Sequence, residues 1–380
     1  MMTESYDCIV LGVGGFGSGV LFHLARRGAR VLGIERFGVA HDRGSSHGET
    51  RIIRKAYFEH VDYVPLLLRG YELWSELEAV SGRTLYHECG LLLVGPPDGE
   101  TISGAHLAGR RHSLRIEDLP HDELAQRVPG FHCPEDCVAV FEPEAGYLDV
   151  EECIRAHVDQ AIAQGAVLQT DETVVGWSDE GDSVCVRTDK GDYRAEKLVI
   201  TAGPWAIAIL DDLGVPLEVL RKPLLWHPVR TDEYDASRGA PTFYFEMPAG
   251  NYYGFPSIDG RTLKLAEHSG GETVTDPLTV DRDLRISDVE PVARFLKEAL
   301  PGVTPTPARH AVCMYTVTPD RHFIVDRHPG CNNVVIGTGF SGHGFKFTGV
   351  LGEALADLAL DGSRNFPIEF LSLDRPSLRP

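Results

Sequence analysis

Short apolar runs and a helical segment alternate at the start of the chain. Residues 8–11 are apolar and predict a β-strand, glycines follow at positions 12, 14 and 17, and a helix comes next. A second apolar run, residues 31–34, ends on Glu35. This order predicts a β-α-β unit whose glycines occupy the turn between the first strand and the helix.

The rest of the chain divides into helical and strand-rich segments. Apolar residues at helical spacing predict a helix near 62–80, and a buried strand is predicted in 197–205, where K-L-V-I leads into a small-residue turn. Residues 217–275 are rich in aromatic and strand-forming side chains. Further helices are predicted near 104–112, 150–164 and 288–300, further strands within 85–145 and 166–200, and a strand, a glycine-dense loop and a long helix over 332–360.

The glycine spacing at the first turn carries specific chemistry. Gly12 permits the tight turn, Gly14 allows a pyrophosphate to approach the backbone, and Gly17 allows the helix to pack against the strand. The free N–H groups at the helix start attract phosphate, and Glu35 is placed to accept hydrogen bonds from an adenosine ribose. Glycines also mark ordinary strand-to-helix turns, but the strand, the helix and the terminal acid in one register favour dinucleotide binding.

The order of the segments indicates the domain organisation. Dinucleotide-type signals lie at the N-terminus, near 197–205 and near 334–350, and strand-rich segments separate them. A nicotinamide dehydrogenase more often keeps its nucleotide domain contiguous, so this layout favours a flavin. We predict a mixed α/β (α+β) fold: a Rossmann-type FAD-binding domain with an inserted antiparallel-sheet substrate domain. The predicted FAD-binding domain comprises 1–84, 146–216 and 305–380, and the predicted substrate domain comprises 85–145 and 217–304.

Composition restricts the functional classes. A chain of 380 residues is expected to form two joined domains, and its net charge of −20 argues against a nucleic-acid partner because a phosphate backbone would be repelled. No apolar run is long enough to cross a membrane. The N-terminus lacks the basic region and apolar core of a signal peptide, so export is not expected. The eight cysteines lack paired spacing, and C-P-E-D-C at 133–137 has no second half of a metal site nearby. We therefore expect no metal and a reducing, cytoplasmic setting.

Several sequence blocks resemble a single family. These blocks are S-S-H-G-E-T-R-I-I-R (45–54), Y-V-P-L-L-L-R (63–69), Y-Y-G-F-P (252–256), A-V-C-M-Y-T (311–316) and G-F-S-G-H-G-F-K-F (339–347). Together they resemble the monomeric sarcosine oxidase family, which includes N-methyltryptophan, pipecolate and fructosyl amino acid oxidases. The resemblance covers nearly the whole chain. It implies FAD bound covalently to a cysteine, oxidation of a secondary amino acid by O2 with release of H2O2, and a monomer without membrane partners.

The resemblance implies specific cofactor contacts. Cys313 matches the cysteine that forms a thioether to the flavin 8α-methyl carbon, a step that needs a nucleophile held at the ring edge. A small buried hydrophobe is the alternative for this residue. The other cofactor contacts implied are His47, Thr50, Arg51, Gly342, Gly344 and Lys346.

The resemblance also implies a substrate carboxylate held by Arg54 and Lys346. The planar fork of an arginine can meet a carboxylate with two parallel hydrogen bonds. T-R-I-I-R is β-branched and predicts a strand, which places Arg51 and Arg54 on opposite faces, so a single two-arginine clamp is not expected. A surface ion pair is the alternative for each arginine, and a solvated charge is the alternative for the lysine.

Lys264 separates an oxidase from a dehydrogenase. It lies in the alternating segment L-K-L-A-E-H, a pattern that by itself favours an outward-facing lysine. The resemblance instead places it over the flavin, where a fixed cation stabilises developing superoxide. The resemblance assigns catalytic positions to Lys264, Arg51, His268 and Tyr315 and further substrate contacts to Tyr253 and Tyr244, with a packed core side chain as the alternative for each aromatic and histidine. His343 is expected to shape its loop.

Two positions depart from the family pattern and leave the substrate open. Ser46 replaces a histidine beside His47, and Tyr244 falls where sarcosine oxidase carries a methionine lining the pocket. An added phenol changes the volume and polarity of the pocket. A bulkier or cyclic secondary amine (N-methyltryptophan, pipecolate or a fructosyl amino acid) is therefore the alternative substrate. A nicotinamide-dependent dehydrogenase and a flavin-binding protein without turnover are the alternatives from other classes.

Overall fold

The computed structural model describes residues 5–378, which form two large β-sheets, one small sheet and eight α-helices. The strands are β1 (Ser5–Leu11), β2 (Val31–Ile34), β3 (Thr50–Ile53), β4 (Tyr86–Glu88), β5 (Leu91–Gly95), β6 (Glu117–Leu119), β7 (Val138–Glu142), β8 (Gly146–Asp149), β9 (Val167–Gln169), β10 (Val174–Asp179), β11 (Val184–Thr188), β12 (Asp192–Ile200), β13 (Glu218–Pro228), β14 (Thr242–Met247), β15 (Gly250–Gly254), β16 (Thr262–Glu267), β17 (Glu272–Thr273), β18 (Arg309–Val317), β19 (Ile324–His328) and β20 (Cys331–Thr338). The helices are α1 (Gly15–Arg26), α2 (Val64–Ser81), α3 (Glu100–His112), α4 (His121–Arg127), α5 (Val150–Ala163), α6 (Ala206–Ile209), α7 (Ile286–Ala299) and α8 (Thr348–Leu360).

The eight-stranded sheet has a parallel centre in the order β9-β2-β1-β12-β20. β19 pairs antiparallel with β20, and β10 and β11 extend the sheet from the start of β12. The apolar runs of the central strands suit burial on both faces. In the register Leu11 pairs with both Ile34 and Ile200, so the residues that follow these strands meet at one edge of the sheet. That edge is where ligands bind in open parallel sheets.

Helices α1, α5 and α8 pack together on this sheet, and two glycines allow the closest approach. A Cβ on Gly19 would lie 2.3 Å from the carbonyl oxygen of Thr348, and a Cβ on Gly352 would lie 2.7 Å from the backbone of Gly19. Neither backbone can yield without moving its helix. Helices α1 and α8 are therefore held at a separation that only glycine permits.

The nine-stranded sheet is antiparallel except where β5 pairs with β14. Along β14 the side chains alternate, so that Phe243 and Phe245 pack into one cluster with Phe295 of α7. Tyr244 belongs to a separate cluster with Tyr253 and residues of the small β3-β8-β4 sheet. The second face of this sheet consequently supplies side chains to the candidate site.

The structure confirms the predicted β-α-β unit, the β3 strand in T-R-I-I-R, the helices near 62–80, 104–112, 150–164 and 288–300, and the inserted, mainly antiparallel sheet. The domain boundaries stay a prediction, and β18 lies within the segment 305–380 that they assign to the FAD-binding domain. β18 instead pairs with β13 from Glu218–Val317 to Trp226–Arg309, so backbone hydrogen bonds place it in the nine-stranded sheet. Residues 1–4 and 379–380, which the predicted boundaries include, lie outside the described residues.

Within residues 5–378, no helix combines the length and the apolar character that crossing a bilayer requires. The same part of the chain has no group of three or more His, Cys, Asp or Glu side chains that could hold a metal ion. Its eight cysteines are all free thiols.

Candidate active site

A large cleft opens at the edge of the eight-stranded sheet where β1, β2 and β12 end. Its atom-free volume is about 1260 Å³. Gly12, Gly14, Glu35 and the 201–205 turn line it from the sheet side. Residues of the 339–345 segment, in the glycine loop near the end of the sequence, also line it. The three sequence signals for a dinucleotide are thus brought to one site.

The first glycines form a cradle with a free helix start. Gly12 has φ +83°, and a Cβ on it would lie 2.8 Å from the carbonyl oxygen of Thr201. A Cβ on Gly17 would lie 1.8 Å from the carbonyl oxygen of Gly12, whereas a Cβ on Gly14 would meet no described atom within 4 Å. No side chain caps α1. The cradle therefore has both the space and the N–H donors that a pyrophosphate needs.

Glu35 is held in place by the backbone at the end of β2. Its Oε2 accepts a hydrogen bond from the N–H of Val13 at 2.8 Å, and its Oε1 accepts one from the N–H of Phe37 at 3.0 Å. The carboxylate lines the cleft and keeps lone pairs for further donors. This arrangement fits the predicted contact with a ribose.

Of the buried nitrogen atoms without a hydrogen-bond partner among the described residues, two lie at or beside the cleft. They are His47 Nε2 and Trp205 Nε1. Trp205 lines the cleft, and His47 lies next to Ser46, which also lines it. Burial, with Arg51 nearby, lowers the pKa of His47 to about 3, so its imidazole is neutral. Buried polar groups are normally paired, so these atoms fit a polar ligand bound in the cleft.

Cys313 lies at the border of the cleft beside a fixed guanidinium group. Its thiol is fully buried and donates to the carbonyl oxygen of Ser45 at 3.2 Å. Arg51 donates from Nη2 to the same carbonyl at 2.8 Å and lies 3.5 Å from Cys313 Sγ. Ser45, Arg51 and the residue after the cysteine, Met314, line the cleft. The thiol is therefore close to the edge of any ligand that fills the cleft.

Lys264 is buried, which excludes the outward-facing alternative. Only 3% of the residue is exposed. Its ammonium donates to the carbonyl oxygens of Gly48 at 2.5 Å and Thr50 at 2.8 Å and to the hydroxyl of Thr50 at 3.1 Å. Burial, together with Arg51, lowers the pKa of this lysine well below its usual value. The side chain lies behind the cleft lining, next to the loop that carries His47.

A second cavity of about 540 Å³ adjoins the cleft. Arg51, Gly342 and Phe345 line both spaces, so the two are joined at these residues. Its other lining residues include the predicted substrate and catalytic contacts Arg54, Tyr244, Tyr253, His268 and Lys346. A molecule in this substrate cavity would therefore lie directly beside a ligand of the cleft.

Arg54 is paired in this cavity with an acid that the sequence did not reveal. Its Nη2 donates to both carboxylate oxygens of Glu59, at 2.6 and 2.5 Å, and its Nη1 donates to the carbonyl oxygen of Ala56 at 3.0 Å. The guanidinium lies between the rings of Tyr57 and Phe58. Burial alone would raise the pKa of Glu59, but Arg54 and the nearby cations lower it to about 2. Glu59 thus occupies the position expected for a substrate carboxylate.

Lys346 supplies the second cation of the substrate cavity. It is 5% exposed and donates to the carbonyl oxygen of His343 at 2.7 Å. Burial, together with Arg54, lowers its pKa to about 7. His343 uses both ring nitrogens, one with the hydroxyl of Tyr57 and one with the carbonyl of Arg321, so it shapes the loop as expected.

His268, Tyr244 and Tyr253 line the rest of the substrate cavity, and Tyr315 lines the adjoining cleft. The hydroxyl of Tyr315 lies 3.5 Å from His268 Nδ1. Burial, together with Lys222, lowers the pKa of His268 to about 3, so the imidazole is neutral. Gly342 has φ +83°, and a Cβ there would lie 2.3 Å from the Tyr315 ring, so only glycine allows the loop to reach this tyrosine.

The structure places the predicted residues in two layers. Gly12, Gly14, Glu35, Arg51, Gly342, Gly344 and Tyr315 line the cleft. His47, Thr50, Lys264 and Cys313 lie behind that lining, and Gly17 supports α1. Sequence reasoning missed Glu59 and the Ser45 carbonyl. A backbone carbonyl leaves no sequence signal, and the one signal for Glu59 is an acid five residues after Arg54.

The chain belongs to the FAD-dependent oxidoreductase family, and residues 7–358 match the sequence model of that family. It is 41% identical to the monomeric sarcosine oxidase of Bacillus sp. (strain B-0618), with 100% of this chain and 98% of that protein covered. It is 34% identical to the N-methyl-L-tryptophan oxidase of Citrobacter koseri (strain ATCC BAA-895), with 97% and 99% covered. The structure of NikD, described as an unusual amino acid oxidase essential for nikkomycin biosynthesis, superposes with a TM-score of 0.85 at 28% identity, with 97% of this chain and 98% of that chain covered.

Proposed function

We propose that the protein is an FAD-dependent oxidase of secondary amino acids. The observation that carries the proposal is the pair of cations, Arg54 and Lys346, in a cavity that joins the dinucleotide cleft at Arg51 and Gly342. Two cations at one end of a small cavity suit a carboxylate. The relatives named as oxidases of N-methyl amino acids support this substrate class.

The protein residues bind and orient the substrate. The carboxylate displaces Glu59 from Arg54 and also meets Lys346, and this fixes the amine and its α-carbon toward the cleft. The neutral imidazole of His268 and the hydroxyl of Tyr315 then lie beside the amine, where either can hold a hydrogen bond to nitrogen. Such fixed orientation supplies much of the rate in reactions between bound partners.

Bound FAD would supply the redox chemistry: a hydride from the carbon next to nitrogen and the proton lost from nitrogen, together two electrons and two protons, would reduce O2 to H2O2 and leave an imine. With sarcosine the imine product hydrolyses to glycine and formaldehyde. Lys264 is proposed to stabilise the negative charge that develops on oxygen. Its fixed position against Gly48 and Thr50 supports that role.

We propose that the flavin is attached covalently to Cys313. Support comes from the buried thiol at the cleft border, beside Arg51 and the Ser45 carbonyl. Acid precipitation of the purified holoprotein tests the linkage. Flavin that stays in the pellet of the wild type, and moves to the supernatant in the Cys313→Ala variant, is the expected result. Colour that washes out of both proteins contradicts the linkage.

A substrate panel tests the activity itself. Sarcosine, N-methyl-L-tryptophan, L-pipecolate and fructosyl-glycine are each incubated with the holoprotein, and H2O2 and the amine product are measured. We expect turnover of at least one of these substrates. The kcat/KM values then show whether the enzyme prefers sarcosine or one of the bulkier or cyclic substrates. A colourless protein that binds NAD would support the dehydrogenase alternative. A yellow protein inert to the whole panel would support a flavin-binding protein without turnover.

The setting of the enzyme is also a proposal. We propose a monomer that acts in the cytoplasm on a small-molecule substrate and O2. The relatives named monomeric sarcosine oxidase support a monomer, and the free thiols of the described residues suit a reducing compartment.

A further inference from the structure

A buried lysine outside the substrate cavity holds the backbone of the residue that forms one of its walls. Lys222 lies on β13 opposite Cys313 of β18, so both side chains project from the same face of the sheet. It is 2% exposed. Its ammonium donates to three successive carbonyl oxygens, those of His268 at 3.1 Å, Ser269 at 2.7 Å and Gly270 at 3.2 Å.

Three N–H donors and three carbonyl acceptors match completely. An ammonium group has three hydrogens, and burial of such a charge is tolerated only when they are paired. Burial lowers the pKa of Lys222 to about 8, with Glu267 acting in the opposite direction, so the group is charged at neutral pH. The same ammonium lies 5.2 Å from the centre of the Tyr315 ring. Lys222 therefore contacts both His268, through its carbonyl, and Tyr315.

The turn that Lys222 holds is a thin wall between two spaces. His268 lines the substrate cavity, whereas Ser269 and Gly271 line a separate cavity of about 730 Å³ together with Lys222. Gly270 and Gly271 have φ angles of +61° and +122°. Glycine adopts this region readily because it has no Cβ, and the same property leaves its backbone flexible. The 268–271 turn thus has open space behind it and a flexible pair of glycines within it. The turn is also anchored at Asn251, whose carbonyl oxygen accepts from the N–H of His268 at 2.6 Å and whose N–H donates to the hydroxyl of Ser269 at 2.9 Å, and at Glu267, which accepts from that hydroxyl at 2.9 Å.

We propose that Lys222 is a positioning residue that fixes the 268–271 turn, so that His268 faces the substrate, and that its effect on substrate oxidation runs through His268 and not through its contact with Tyr315. This inference rests on the proposed function, in which His268 lies beside the substrate amine. A lysine that merely stabilised the sheet would affect the whole protein. A lysine that positions His268 would affect the half-reaction in which the substrate takes part and leave the reaction with oxygen unchanged.

The test separates the two half-reactions in the holoprotein. Lys222→Met removes the ammonium and keeps an unbranched apolar stem that reaches the position of Cε. With sarcosine, or the best substrate of the panel, we expect the anaerobic rate of flavin bleaching to fall by about 10- to 100-fold, the range for small misplacements of a reacting group. Reoxidation by O2 and flavin content are expected to stay within about twofold of wild type. Lys197→Met, which removes a lysine bonded to Asn333 in the other large sheet, is the matched control and should change neither rate.

A double-mutant cycle tests the route through His268. If Lys222 acts through the imidazole, Lys222→Met should slow bleaching less than about twofold in a His268→Asn background. The same slowing in both backgrounds, equal slowing of both half-reactions, or no change in either would overturn the proposal. Should Lys222→Met fail to fold, Gly271→Ala perturbs the same turn. The added Cβ would lie 3.2 to 3.3 Å from Leu220 and Lys222, and the same selective loss is expected.

Hydrogen exchange gives a readout that does not depend on the substrate. In Lys222→Met, amides of 268–271 should exchange faster, while those of β1 and β12 should not change. If no amine bleaches the wild-type flavin, the proposed function has failed, and exchange still decides whether Lys222 holds the turn. Unchanged exchange at 268–271 would contradict that part of the inference.

Discussion

Arg54 shows how a binding residue can be held ready by a group that must leave. In the structure both oxygens of Glu59 accept from Arg54, and the guanidinium is fixed between Tyr57 and Phe58. A substrate carboxylate would take the same hydrogen bonds. Glu59 then competes with the substrate for Arg54. Removal of Arg54 should weaken substrate binding, and removal of the Glu59 charge should strengthen it.

Substitution of this pair gives opposite expected effects. Arg54→Met removes charge-assisted hydrogen bonds of about 2–3 kcal/mol, so KM for the N-methyl amino acid should rise by about 30- to 150-fold. Glu59→Gln removes the competing charge and should lower KM by about fivefold, roughly 1 kcal/mol. Steady-state kinetics measure both values. A rise in KM in both variants would mean that Glu59 holds Arg54 in place and does not compete with substrate.

The charge of Lys346 gives a pH prediction. Its pKa is lowered to about 7, so the ammonium is present below that pH and the amine becomes neutral as the pH rises. Arg54 keeps its charge, and Glu59, with a pKa of about 2, stays ionised. The affinity of the holoprotein for propionate, a carboxylate without an amine, should therefore fall as the pH rises from 6 to 9. Spectral titration of the flavin measures it, and Lys346→Met should bind weakly with a flat profile.

At this scale the sequence predicted the kinds of residue in the site better than their contacts. Arg54 and Lys346 were predicted because they fall within motif blocks of the family resemblance, His268 was predicted from the same resemblance, and the three residues do line one cavity. The pairing of Arg54 with Glu59 and of Lys222 with three carbonyls was missed. Such contacts depend on where loops and strands meet, which no local pattern records.

At the scale of elements, the first helix and strand depend on two glycines for different reasons. Gly17 is needed by the protein, since a Cβ there would lie 1.8 Å from the carbonyl oxygen of Gly12. Gly14 has φ −77°, which any residue adopts, and space around it that the described protein leaves empty. Gly17 is therefore a packing requirement, whereas no described atom of the protein requires a glycine at position 14.

Alanine substitutions should distinguish these two glycines. Gly17→Ala should lower the Tm of the apoprotein, since overpacking costs about 1–3 kcal/mol or more, and should abolish FAD retention. Gly14→Ala should leave the apoprotein Tm unchanged and weaken FAD binding, because its methyl group enters the space for the pyrophosphate. Thermal unfolding and flavin content measure these effects. A destabilised Gly14→Ala apoprotein would contradict the assignment.

The elements that sequence reasoning found are those with a strong period of their own. α2, α5 and α7 have enough turns to show an apolar face, and β1, β2 and β12 each contain a short apolar run. α4 spans seven residues and has one buried residue, so its period is too short to detect. The sheet membership of β18 was also missed, because pairing with β13 is a long-range contact.

For the whole molecule, the proposed thioether would join the two large sheets. Cys313 belongs to the nine-stranded sheet, whereas the glycine cradle belongs to the eight-stranded sheet. FAD attached at Cys313 and bound in the cradle would therefore connect them. The predicted boundary at 305 places the cysteine and the cradle in one domain, and the pairing of β18 with β13 shows that they belong to different sheets.

Covalent attachment should be visible in unfolding experiments. A ligand that dissociates stabilises the folded state by about 1.4 kcal/mol for each tenfold increase in its concentration above the Kd. The Tm of Cys313→Ala holoprotein should therefore rise with added FAD. The Tm of wild-type holoprotein should not respond, because its flavin cannot dissociate. Equal responses of the two proteins would contradict covalent attachment.

In the proposed reaction a secondary amino acid is held by its carboxylate beside the flavin. The most direct measurement is anaerobic bleaching of the holoprotein by sarcosine and, separately, by sarcosine amide, which keeps the amine and lacks the carboxylate charge. We expect complete bleaching by sarcosine at a rate at least about 100-fold higher than by equal concentrations of the amide. Equal rates with both compounds, or no bleaching by sarcosine or any other acid of the panel, would contradict the account.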